Sequence, residues 1–197
     1  MGRAAVCIGL GLLAAAPAFA QAWATFESRG LPRSQGVLVR VPHPADWRRV
    51  APEDELALAE LRGAQAGLTG ILQIARGQRH ADIGALCRPE RARTMLADLE
   101  AQAPGTRLTD VVARAHKGRP GFELRYERAD ERQVLRVHTR IICLRDSRLV
   151  VSCAASADLR QRQRLDELAP VCARVLEGVE VSENEAAPAT PAPAAPE

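Results

Sequence analysis

Four cysteines in the body of the chain constrain its fold more than any other feature, because oxidised pairs would fix which distant segments lie together. They are Cys87, Cys143, Cys153 and Cys172. Zinc sites and redox sites usually bring their cysteines in close pairs such as Cys-x-x-Cys, and no such pair occurs here. The spacing therefore favours two structural disulfides over a metal site, provided that the chain reaches an oxidising compartment.

The N-terminal segment has the features of a secretory signal peptide. Arg3 supplies a positive start, an uncharged apolar run follows, and Ala18-Phe19-Ala20 comes directly after a helix-breaking proline. The apolar run is roughly 13 residues long, whereas a membrane-spanning helix needs about 20. We therefore predict that residues 1–20 are a signal peptide that is cleaved after Ala20. The remaining cysteine, Cys7, would be removed with it. The mature chain would then start at Gln21 and lie in the periplasm or outside the cell.

The remaining chain is long enough for one domain and contains no further apolar segment that would cross a membrane. We predict a single α+β domain over residues 21–182. Residues 183–197 are rich in proline and alanine and offer almost nothing for a core to bury. They are predicted to form a disordered tail outside the fold.

Composition argues against a nucleic-acid-binding protein. The net charge is +3, and aromatic residues, which stack on bases in many such proteins, make up 3% of the chain. The arginines are spread along the sequence, and Lys117 is the one lysine. We therefore expect no nucleic-acid partner.

Two alternating segments, residues 135–143 and 149–153, predict a β-hairpin that carries two of the cysteines. A three-residue loop would place Cys143 and Cys153 on one face but diagonally apart, at about 7 Å, which is long for a disulfide. Each is therefore expected to pair elsewhere.

The closing segment, residues 158–177, has helical spacing that places Cys172 on an apolar stripe. Asp158 is positioned to cap this helix, and Pro170 should kink or split it. Four cysteines allow three arrangements of two bonds. We favour Cys153 with Cys172 and Cys87 with Cys143.

The other elements complete an α+β order. Strands are predicted at residues 35–41, 67–75, 108–115, 121–128 and 179–181, a short helix at 52–61, and a longer helix at 89–102. Strands that follow one another without intervening helices form antiparallel sheets. The predicted fold class is therefore α+β, an antiparallel β-sheet flanked by helices, and not a repeated βαβ unit.

Several of these segments together resemble a known family. They are Val41-Pro42 with Trp47 five residues on, Gly121-Phe122-Glu123-Leu124-Arg125-Tyr126, the strand at 136–143, Leu149-Val150-Val151, and a terminal helix closing in Val179-Glu180-Val181. Over about residues 26–182 this pattern is similar to the PsbP-like superfamily, named for an extrinsic subunit of photosystem II. The resemblance implies an α/β/α sandwich and a non-enzymatic binding or assembly module. It carries over no functional residue, and the four cysteines are not part of it.

Motif spacing indicates no catalytic, cofactor-binding or metal site. Zinc-protease, serine-hydrolase, phosphate-loop and dinucleotide motifs are all missing from the sequence. His80 and Asp82 form a short metal-like pair, which an exposed loop explains more simply than a metal site does. His138 is expected to face solvent from its strand. The carboxylates Glu123, Glu127 and Asp130 are expected on the wet face of the sheet.

Two functional hypotheses follow. The first is an exported, non-catalytic envelope protein that binds or helps to assemble an unidentified envelope partner, with no cofactor. The second is a periplasmic, hydrolase-like enzyme whose site is built from distant residues and is invisible as a motif. A deep polar pocket with perturbed pKa values would favour the second hypothesis.

Overall fold

The computed structural model describes residues 21–65, 67–102 and 105–183, so the predicted signal peptide and nearly all of the predicted tail lie outside the described residues. The strands are β1 (Trp23–Glu27), β2 (Val37–Pro44), β3 (Arg48–Val50), β4 (Ala57–Gln65), β5 (Leu68–Arg76), β6 (Thr106–Ala113), β7 (Gly121–Ala129), β8 (Gln133–Cys143), β9 (Arg148–Asp158) and β10 (Glu180–Glu183). The helices are α1 (Ile83–Leu86), α2 (Pro89–Gln102) and α3 (Ala169–Glu177), with 3-10 segments at Pro32–Ser34 and Leu159–Leu168.

The strands form two antiparallel sheets. The large sheet has seven strands in the order β3-β4-β5-β9-β8-β7-β6, and the small sheet has three in the order β1-β2-β10. Helix α2 packs on β6 and β7, whereas α3 contacts β8 and β9 of the large sheet and β2 of the small one. The predicted α+β class, an antiparallel sheet flanked by helices, is confirmed.

Two disulfides fasten helical segments to the large sheet. They join Cys87 to Cys143, with 6.2 Å between the Cα atoms, and Cys153 to Cys172, with 5.3 Å. These are the two pairs favoured from the sequence. Since neighbouring residues of a strand point to opposite faces, and since Cys153 lies opposite His138 in the sheet, Cys143 and Cys153 point to opposite faces. Each disulfide therefore acts on a different face.

The predicted placement of Cys143 and Cys153 on one face is wrong because the hairpin closes more tightly than expected. The Leu144 N–H donates to the Ser147 carbonyl at 2.9 Å, so only two residues form the loop. Cys143 consequently lies opposite Arg148. A shift of the register by an odd number of residues moves one strand's side chains to the other face.

The closing segment begins and divides as its sequence predicts. The Asp158 carboxylate accepts a hydrogen bond from the Arg160 N–H at 2.9 Å, which caps the 3-10 segment. Pro170 lies in the first turn of α3, where a missing N–H costs no helical hydrogen bond. The buried side chains of the two pieces share one stripe: Leu165, Leu168, Val171, Cys172, Val175 and Leu176.

Two local predictions are wrong. Residues 52–61 do not form a helix, since Ala57–Gln65 is strand β4, whose first five residues are all buried in the sheet. The strand predicted at residues 35–41 does not end before Pro42 but runs to Pro44, as β2. The pairing of β2 with β10 stops at Arg40, so Pro42 is paired only with β1, where proline is tolerated as on an edge strand.

Trp47 lies flat on the large sheet over a pair of glycines. Gly63 on β4 is directly opposite Gly70 on β5. A Cβ atom at Gly63 would come within 2.1 Å of Trp47 Cδ1, and one at Gly70 within 2.2 Å of Cζ2. The indole is 4% exposed, so it has no free space into which to move. Only glycine at both positions admits this ring.

We expect Gly63→Ala to lower the free energy of unfolding by about 1 to 3 kcal/mol, because the added methyl overlaps the Trp47 ring. Urea unfolding of the purified variant measures this. Gly77→Ala is the control, since a Cβ there would meet its nearest neighbour at an ordinary 3.6 Å. Equal stability of the two variants would contradict the packing, and Trp47→Leu should relieve part of the Gly63→Ala defect.

Candidate ligand-binding cleft

A cleft of about 780 Å³ opens on one face of the large sheet, beneath the 3-10 segment and α3. Its floor and inner wall are formed by apolar residues and the disulfide: Cys153, Ala155, Leu165, Leu168, Ala169, Pro170, Cys172 and Ala173. Its outer rim is formed by β6, β7, β8 and the 3-10 segment and carries charged side chains. The cleft is therefore apolar at one end and charged at the other.

The two carboxylates of the rim are held by arginines. Glu127 lies 3.1 Å from Arg136 and 2.6 Å from Arg162. Arg136 also forms an ion pair with Asp166 of the 3-10 segment. These ion pairs link β7, β8 and the 3-10 segment across the mouth of the cleft.

Two further arginines line the same rim. Arg107 of β6 and Arg125 of β7 are exposed, and neither guanidinium group forms a hydrogen bond or an ion pair with any residue that the structure describes. The rim thus has four arginines and two carboxylates. An excess of positive charge faces the cleft.

Behind the cleft lies a buried ion pair. Glu123 and Arg140 are directly opposite each other on β7 and β8, and each is 4% exposed. Arg140 Nε donates to Glu123 Oε1 at 2.8 Å, and a second guanidinium nitrogen contacts the same oxygen. The other carboxylate oxygen lies 3.2 Å from His138 Nε2 and 3.5 Å from the half-exposed Arg114. The expected placement of Glu123 on a wet face is wrong, because its side chain is buried beside Arg140, which the C-terminal end of α3 contacts through the Leu176 carbonyl.

The same network holds the C-terminal end of α3. Arg140 donates to the Leu176 carbonyl, and His116 Nε2 lies 2.8 Å from the Val179 carbonyl. His116 Nδ1 lies 3.2 Å from Arg140, so the neutral ring donates to the carbonyl and accepts from the guanidinium. A cation at the carbonyl end of a helix also interacts favourably with its dipole.

The imidazole of His138 connects this network to the cleft, which it lines. Its side chain is 19% exposed, so the expectation that it faces solvent is wrong. Burial lowers the pKa of His138 and of His116, and this outweighs the hydrogen bonds to Glu123 and Val179, which raise it. Burial raises the pKa of Glu123, but the hydrogen bonds from Arg140 and His138 more than offset it, so this pKa is below its usual value.

We expect the domain to lose stability as the pH falls from 7 to 5. The unfolded chain binds protons on both histidines at about pH 6.5, whereas the folded chain resists them, so the free energy of unfolding falls below that pH. Glu123 adds a further loss below about pH 4.3, the unfolded carboxyl pKa. Urea unfolding across this range measures the slope. Replacing His116 and His138 by glutamine should flatten it between pH 7 and 5, and the exposed control His80→Gln should not.

The remaining residues singled out in the sequence have local structural roles. Asp82 caps α1 by accepting from the Ala85 N–H, and His80 is exposed beside it. Asp130 accepts from the backbone N–H groups of Arg132 and Gln133, and these bonds lower its pKa. Within residues 21–65, 67–102 and 105–183, no three His, Cys, Asp or Glu side chains are grouped as a metal site would require. In the same part of the chain, no helix has the length and apolarity to span a membrane.

No protein-family model and no curated protein matches the sequence. Among solved structures, cyanobacterial PsbP (CyanoP) from Synechocystis sp. PCC 6803 has a TM-score of 0.55 and 14% identity, covering 90% of this chain and 98% of that one. PA94 of Pseudomonas aeruginosa, a protein of unknown function, has a TM-score of 0.51 and 16% identity, covering 71% and 88%. LpqN of Mycobacterium tuberculosis, involved in cell envelope biogenesis, has a TM-score of 0.49 and 17% identity, covering 81% and 91%. The resemblance to the PsbP-like superfamily is therefore confirmed for the fold, which this chain shares with cyanobacterial PsbP.

Proposed function

We propose that the chain is exported and acts in the cell envelope as a non-catalytic binding module, with the cleft beneath α3 as its ligand site. The observation that carries this proposal is the cleft itself. Its volume of about 780 Å³ lies within the range of about 300–1,000 Å³ that is usual for ligand sites. Its apolar floor would supply binding energy, and its charged rim would orient the ligand.

The walls of the cleft are fixed before any ligand arrives. The Cys153–Cys172 disulfide ties α3 to β9 at the floor, and the Glu127 ion pairs tie the 3-10 segment to the rim. A preformed site loses less conformational entropy when it binds. This rigidity supports a role in recognition.

His138 favours a second candidate function, a hydrolase-like enzyme. It lines the cleft, its pKa is lowered by burial, and Glu123 orients its ring. Such a histidine would be able to take a proton from water. Against this, Glu123 is neutralised by Arg140, and both rim carboxylates are paired with arginine. Charged groups that are already paired suit recognition better than proton transfer.

The proposal is tested with protein exported to a bacterial periplasm and purified without detergent. A mass that starts at Gln21 with both disulfides formed would support export. Native mass spectrometry should then detect a non-covalently bound ligand on the wild type. Ala173→Trp should abolish this binding, because the indole projects from the lining and blocks the apolar part of the cleft. Ala97→Trp, at an exposed position of α2, is the matched control and should retain it.

Two results would count against the proposal. A bound ligand that survives Ala173→Trp in a normally folded variant would show that the cleft is not the site. Turnover of a model ester or phosphoester that His138→Gln abolishes would favour the enzyme. If the chain is a binding module, His138→Gln should leave the bound ligand in place.

A further inference from the structure

The positive charge of the rim is available to a ligand. Arg136 and Arg162 are already paired with the two acidic side chains, whereas Arg107 and Arg125 have no ion-pair partner among the described residues. Asp110 lies opposite Arg125 in the sheet, but no ion pair joins the two and Asp110 does not line the cleft. A head group at this position would meet two guanidinium groups and no unpaired carboxylate of the lining.

The two arginines are spaced to bind one head group. Arg107 is opposite Glu127, and Arg125 is two residues from Glu127 on the same strand, so all three project from one face. Diagonal neighbours of this kind lie about 7–8 Å apart, with their Cβ atoms somewhat closer. Two guanidinium groups at this spacing suit the several oxygens of a phosphate or carboxylate.

The apolar floor of the cleft favours a ligand that carries an apolar group next to its head group. Leu165, Leu168 and the Cys153–Cys172 disulfide offer no hydrogen-bonding groups. A peptide laid there would bring backbone N–H and C=O groups that this floor leaves unpaired, and this costs binding energy. A hydrocarbon chain brings none.

Building on the proposed function, we infer that the ligand is a single-chain amphiphile with an anionic head group. The head group lies between Arg107 and Arg125 at the β6–β7 rim. The hydrocarbon chain lies along the apolar floor beneath α3, against the disulfide.

Calorimetric titration of the exported protein with octyl, decyl and dodecyl phosphate, each kept monomeric, tests the inference. Affinity should rise by up to about fifteenfold for every two methylene groups, and inorganic phosphate should bind far more weakly. The double variant Arg107→Ala with Arg125→Ala should bind dodecyl phosphate at least about tenfold more weakly. Its affinity for the neutral dodecyl maltoside should be unchanged. Arg93→Ala with Arg128→Ala, two exposed arginines outside the cleft lining, is the matched control and should have little effect.

The failures of this inference and of the proposed function are distinguishable. If the neutral amphiphile binds as tightly as the anionic one, or inorganic phosphate binds as tightly as dodecyl phosphate, the inference is wrong. If Ala173→Trp still abolishes that binding, the cleft remains the ligand site. If no amphiphile binds, but the ligand seen on the native protein is lost in Ala173→Trp, the ligand belongs to another class. If Ala173→Trp changes no binding at all, both ideas fail.

Discussion

Serine at both Cys153 and Cys172 is expected to lower the free energy of unfolding by about 3 kcal/mol, and serine at both Cys87 and Cys143 by about 4 kcal/mol. The bonded residues are 19 and 56 positions apart, and a longer closed loop restricts the unfolded chain more. Cys153 is fully buried, so a serine hydroxyl there adds a desolvation cost. Urea unfolding of the oxidised proteins at pH 7 measures both losses.

The two variants should differ in ligand binding although both are destabilised. The Cys153–Cys172 bond forms part of the cleft, so its removal loosens α3 and should weaken binding. The Cys87–Cys143 bond acts on the opposite face of the sheet, and its removal should leave binding intact under conditions in which the protein is folded. A wild-type protein with four alkylatable thiols, or a loss below about 1 kcal/mol for either variant, would contradict the structural role of the bonds.

Elements with strong local signals could be predicted from the sequence. Helix α2 spans Pro89–Gln102, as its leading proline and helical spacing predict. The cap at Asp158 and the break at Pro170 depend on backbone chemistry within one or two turns. The apolar stripe around Cys172 indicated that α3 packs on the sheet. Such features need no knowledge of distant contacts.

The polar face of β8 could not be predicted in the same way. Arg136, His138 and Arg140 alternate with apolar residues, which is the usual pattern of a strand with one face in water. In the structure α3 and the 3-10 segment lie over that face, so that Arg136 and His138 line the cleft and Arg140 is buried behind it. The signal available in the sequence was the apolar run at Leu149, Val150 and Val151, because a strand that is apolar on both faces predicts cover on both.

The false helix at residues 52–61 has a different cause. Acidic residues followed by leucines and alanines suit a helix by local propensity. There the Asp54 carboxylate accepts from the Leu56 N–H and closes a turn, after which Ala57–Gln65 pairs with β3 and β5. Pairing with two neighbouring strands outweighs a weak local preference for a helix. The sequence of the segment itself does not indicate which strands it will pair with.

Arg140→Met is expected to lower the free energy of unfolding by about 3 to 5 kcal/mol. The substitution leaves the Glu123 carboxylate buried without its main partner, and it removes the donor to the Leu176 carbonyl at the end of α3. Arg79→Met is the surface control, since Arg79 is largely exposed beside Asp146, and it should change stability little. Urea unfolding at pH 7 compares the two.

A second substitution distinguishes the net contribution of the ion pair to the free energy of unfolding from the loss caused by leaving Glu123 unpaired. Adding Glu123→Leu to Arg140→Met removes the stranded charge, so the double variant should be more stable than Arg140→Met alone. The Leu176 carbonyl still lacks its donor in the double variant, so recovery should be incomplete. If the double variant is as unstable as the single one, the cost lies in the end of α3 and not in the buried carboxylate. In that case Arg140 matters chiefly as the residue that holds α3 over the cleft.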